Sequence, residues 1–91
     1  MTRSDRRMVE KNLDLIFEFE KYILQHPEIA TDIPQDAVVF MRLEGDERFN
    51  RWSRRLAEKH CEQGQPIFRV TIKKMRPVHS RIEKLSLERA A

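Results

Sequence analysis

The sequence predicts an α+β fold in one small domain: a long N-terminal amphipathic helix, a βαβ unit and a third, C-terminal strand. Three observations carry this. Apolar residues recur at helical spacing from Met8 to His26. Two segments, AVVFMRL and PIFRVTIKKM, have the β-branched and alternating character of strands. Between them lies a second helical pattern with a start signal at Asp46 and a stop at Gly64. No repeat or low-complexity stretch divides the chain, so residues 1–91 read as one domain, with 1–7 and 89–91 expected to be loosely ordered.

The first helix is capped by Ser4 or Asp5 and stopped at His26 by Pro27. Its apolar residues cover an arc of about 220°, roughly twice the usual stripe. Met8, Val9, Leu13, Leu15, Ile16, Phe17, Phe19, Tyr22, Ile23 and Leu24 lie on that arc. One small chain has difficulty covering so wide a face, so a second copy is the expected cover. Met8, Leu15, Phe19 and Tyr22 are the candidates for that dimer interface.

The segment PEIATDIPQDA, with two prolines, reads as a structured connection pinned by Ile29 and Ile33. AVVFMRL, residues 37–43, is apolar on both faces, as expected of an internal strand. Glu44-Gly45-Asp46 breaks it, and Asp46 caps a helix over about residues 46–63. Phe49, Trp52, Ser53, Leu56, Ala57 and His60 form its buried face. In the second strand Phe68, Val70 and Ile72 alternate with Arg69, Thr71 and Lys73, giving a half-buried strand. Strand, helix and strand in succession are most simply a parallel pair with a right-handed crossover. Ser80 to Glu83 matches a helix capping box, but the alternation of Leu85, Leu87 and Arg89 favours a strand returning after Arg76-Pro77.

Composition excludes several classes. A single cysteine, Cys61, forms no internal disulfide, and the three histidines have no zinc-finger spacing. The charged opening MTRSDRRM has no signal-peptide core, and no run is long enough to span a membrane; the expected compartment is the reducing cytoplasm. HExxH, GxSxG, CxxC and a glycine-rich phosphate loop are all missing, so no cofactor, metal or catalytic set is expected. Glu44 and Asp46 at a strand end could hold a metal, but a turn and a helix cap explain them fully.

The net charge of +3 hides an asymmetry. Residues 1–50 hold 7 Lys/Arg against 11 Asp/Glu, whereas residues 51–91 hold 11 against 4. Arg48, Arg51, Arg55 and Lys59 form a ridge on the second helix, and Arg69, Lys73, Lys74, Arg76 and Arg81 lie in a stretch without an acid. These are the residues that could meet a phosphate backbone. No helix-turn-helix, zinc finger or aromatic stacking set accompanies them, and a solvated charged surface accounts for them equally. Three polar residues fall on apolar helix faces: Asn12, Glu20 and His60. They are expected to be buried, Glu20 paired with His60 or with an arginine of a second copy, in a register-setting contact or an acid–base pair. His60 and Cys61 are adjacent on a helix and point about 100° apart, which argues against a dyad.

The segments NLDLIFEFEKYILQHPEIATDIP, GDERFNRWSRRLAE and GQPIFRVTIKKMRP, in that order, resemble a family of small bacterial and archaeal proteins of unknown function. The resemblance runs from about Val9 to Leu87 and implies a compact prokaryotic domain without assigning an activity, cofactor or catalytic residue. The residues themselves point to a non-enzymatic cytoplasmic interaction module, a homodimer that binds another protein. The alternatives are a nucleic-acid binder, regulatory in role, using Arg51, Arg55, Lys73, Lys74 and Arg76, and a small enzyme using Glu20 and His60.

Overall fold

The computed structural model describes residues 2–77 and 79–90. Helix α1 spans Arg3–Gln25, followed by a 3-10 segment at Pro27–Asp32, strand β1 at Val38–Leu43, helix α2 at Glu47–His60 and strand β2 at Ile67–Ile72. This is the α+β architecture the sequence predicts, without the third strand: 79–90 contain no regular structure.

Helix α1 begins earlier than expected because Thr2 and Asp5 cap it reciprocally. The Thr2 hydroxyl accepts from the Asp5 amide at 3.1 Å and the Asp5 carboxylate accepts from the Thr2 amide at 3.3 Å. The Thr2 hydroxyl, which donates to the Asp5 carboxylate at 2.8 Å, and then the Thr2 amide hold the Asp5 carboxyl below its usual range. Residues 3–7 are therefore helical, correcting the expected loose start; residues 1 and 91 lie outside the described residues. The helix stops at Pro27 as read, and His26 closes it by donating its amide to the Tyr22 and Ile23 carbonyls.

The sheet is a parallel pair in which Val38 faces Ile67 and Leu43 faces Ile72. β1 is not an internal strand with a partner on each side. Its outer edge is met by α2 at Leu43: Asn50, buried on that helix, accepts from the Leu43 amide at 2.8 Å and donates to the Leu43 carbonyl at 2.9 Å. At that residue a single side-chain amide does what the next strand would do. Ser53 and Ala57, small and buried on the same side of α2, let the helix approach closely. Asp46 caps α2 as predicted, accepting from the Phe49 amide at 3.2 Å while also pairing with Lys11 of α1.

Phe49 is fully buried and forms the core with Leu15 and Met41, with Met8, Ile16, Phe19, Trp52, Val70 and Ile72 packed around it. The core therefore sits where α1, β1 and α2 meet. α2 ends at His60, earlier than the Gly64 signal suggested. Gly64, at φ +82°, instead shapes the turn in which the Gln65 amide donates to the Glu62 carbonyl.

Candidate functional site

Because α2 lies along β1, α1 meets the sheet mainly over Met41 and leaves a groove above β2. The C-terminal half of α1 supplies Phe19 and Tyr22 to one wall, and the 3-10 segment with the residue after it supplies Ile29 and Ile33. β2 supplies the floor through Phe68, Val70 and Ile72, and Met75 closes the end. The space is about 700 Å³ and open to solvent. Apolar alternation in β2 and apolar residues on two sides of the Pro27 break build it, so the residues expected to pin the connection to the core line this groove instead.

The floor strand has an unpaired edge. Val38 donates to the Pro66 carbonyl and Glu44 to the Ile72 carbonyl, so even-numbered residues of β2 bond to β1. Ile67, Arg69 and Thr71 turn their amides and carbonyls the other way. No bond to those groups is formed among the described residues. Charge is divided around the groove: Glu18 and Asp32 flank the helical wall, and Arg69, Lys73 and Lys74 flank the strand. Glu18 is engaged by Lys21 at 2.8 Å.

The sequence-derived candidates redistribute. Leu15 is 3% exposed and so is covered within the chain, whereas Met8 and Phe19 are half-buried and pack on the core. Tyr22, half exposed, stacks on His26 with ring centroids 4.1 Å apart and borders the groove. Glu20 and His60 are both exposed rather than buried, because α1 and α2 each turn a neighbouring face inward. They form no bond with each other, and Asn12 is half-buried. Among the described residues the buried polar ones are Asn50 and Ser53; Asn50 lies outside the helix face read from spacing, because its role is to bond a strand edge rather than fill the core. The Cys61 thiol is half-buried and donates to the Gln65 carbonyl at 3.4 Å.

Arg48, Arg51, Arg55 and Lys59 are exposed on α2, and Arg48 donates to the Ser4 hydroxyl at 3.1 Å. Glu47 pairs with Arg42 at 3.7 Å. Arg69, Lys73, Lys74, Arg76 and Arg81 are exposed as well. Besides Asp5, Asp46 is the described carboxyl with a clear shift: Lys11, then the Phe49 amide, hold it below the usual range. Among the described residues no group of three or more His, Cys, Asp or Glu gathers as a metal would require. Nor is any helix among them long and apolar enough to cross a membrane.

A family model described as "Family of unknown function (DUF5647)" matches residues 7–85. No curated protein and no solved structure matches the chain.

Proposed function

We propose that this chain, which belongs to the Family of unknown function (DUF5647), is a non-enzymatic interaction module that takes up an extended segment of another protein along β2. The observation that carries this reading is the apolar groove whose floor is a strand with one unpaired edge. An extended segment laid beside β2 would bond to the amides and carbonyls of Ile67, Arg69 and Thr71, and its alternate side chains would fill the groove. Arg69, Lys73 and Lys74 along that edge favour a segment with acidic residues between its apolar ones.

Selection of displayed linear peptides against the full chain tests the reading. The expected winners alternate apolar and acidic residues, and their affinity falls at least about tenfold with Thr71→Pro. That substitution removes an amide facing away from β1 and leaves the β1 ladder intact. Winners indifferent to Thr71→Pro and to Val70→Asp would refute the groove as the site.

Nucleic-acid binding is a second reading, favoured by exposed Arg51, Arg55 and Lys59 on α2 together with Lys73, Lys74 and Arg76. It predicts a salt-steep interaction with mixed-sequence RNA or DNA that is lost when Lys73, Lys74 and Arg76 become Glu. The acids Glu18 and Asp32 in the groove wall make phosphate a poorer occupant there than a polypeptide.

A further inference from the structure

Helix α1 has a second apolar stripe on the side turned away from the core. Leu13 is 46% exposed, Phe17 55% and Leu24 82%. At 100° per residue these three fall within about 40° of one another, and about 160° from the buried stripe of Met8, Leu15 and Phe19. Arg6, Val9 and Glu20 lie on or beside the same stripe. Arg6 and Glu20 are exposed, and neither side chain has an ion pair or hydrogen bond among the described residues.

The order of residues along this stripe says what fits it. Arg6, Val9, Leu13, Phe17 and Glu20 stand seven and four residues before Leu13, at it, and four and seven after it. The spacing is the same read from either end. We propose that a second copy of the chain docks here, as an antiparallel pair of α1 helices with the two-fold axis passing at Leu13. Leu13 then meets Leu13 of the partner subunit, Phe17 meets the partner's Val9, and Glu20 meets the partner's Arg6, twice by symmetry. A parallel pair would set Glu20 against the partner's Glu20 and Arg6 against the partner's Arg6, so charge selects the antiparallel arrangement. The paired stretch from Arg6 to Glu20 is about 21 Å long, four turns of continuous side-chain interdigitation. This surface lies apart from the groove beside β2, so the two occupancies are independent and are tested separately.

Cross-linking reads the register. In the full chain with Cys61→Ser, Leu13→Cys is expected to give a covalent dimer under mild oxidation or with a short bis-maleimide. Leu24→Cys is expected to stay monomeric on denaturing gels, because the two copies of that residue would stand about 33 Å apart. Sedimentation reads the charges: Glu20→Arg or Arg6→Glu alone should raise the dimer Kd about tenfold or more, and the double exchange should return it to within about threefold of wild type. A wild-type chain that remains monomeric at about 500 μM, equal cross-linking at Leu24→Cys, or a dimer unchanged by Glu20→Arg would each overturn the proposal.

Discussion

Replacing Asn50 by Ala should destabilise the fold far more than a surface-helix substitution of the same size. The Asn50 amide accepts from Leu43 at 2.8 Å and donates to Leu43 at 2.9 Å, and the residue is 7% exposed. Its removal leaves one amide and one carbonyl of β1 unpaired under α2. At about 1–3 kcal/mol for each unmet buried group, with some relief from entering water, the loss is about 3 kcal/mol. In a domain of this size that lowers the thermal midpoint by about 12 °C or more. Urea titration and thermal melts followed by circular dichroism measure both. Asn50→Asp adds a sign test. The introduced carboxylate still accepts from the Leu43 amide but faces the Leu43 carbonyl, so burial and that oxygen raise its folded pKa above the unfolded value of about 3.9. The folded state then binds more protons, and stability relative to wild type falls as pH rises from about 4 through the raised value. A cost below about 1 kcal/mol for Asn50→Ala, or a stability of Asn50→Asp that rises with pH across that window, would refute the claim that this side chain closes the β1 edge at Leu43.

Asp46→Asn should keep the α2 cap, which an asparagine oxygen serves equally, and should cost up to about 1 kcal/mol at pH 7 through the lost Lys11 pair. Because the Asp46 carboxyl is held below its unfolded value, its contribution is full above about pH 4 and is lost as pH falls through the folded value. Melts between pH 2 and 7 should therefore show a flatter acid limb in the Asn variant. Gly45→Ala should cost about 1 kcal/mol in a urea titration purely through the backbone, since φ is +94° and nothing lies within 4 Å of a Cβ placed there. Leu15→Glu should unfold the chain, whereas Phe17→Glu, compared with wild type at a dilution at which the α1 pair is dissociated, should stay within about 1 kcal/mol of it, because one residue is buried and the other is half exposed. A cooperative melt for Leu15→Glu would place the core elsewhere.

The elements were legible where local chemistry decides them. Pro27 ends α1, Asp46 starts α2, and Phe68, Val70 and Ile72 alternate in β2 as their spacing implies. The excess apolar arc on α1 was legible too, but not its division into an inner and an outer stripe. That depends on α2 lying along the β1 edge, a tertiary fact with no period of its own. The same arrangement explains why Leu15 and Glu20 exchange their expected places, Leu15 being buried and Glu20 exposed. Asn50 carried no sequence signal beyond being an amide four residues after a helix cap, a position common on solvated helix faces. The groove was invisible for a related reason: a strand completing the sheet from residues 85–89 would have covered β2. In the structure Leu85 and Leu87 stand exposed outside any strand, and the edge is open.

Amide exchange along β2, with and without a selected peptide, tests the docking account most directly. Phe68, Val70 and Ile72, already bonded to β1, should exchange slowly in both states. Ile67, Arg69 and Thr71 should exchange quickly in the free chain and become protected on binding. Protection confined to α2, or binding that leaves those three amides exchanging as before, would contradict it.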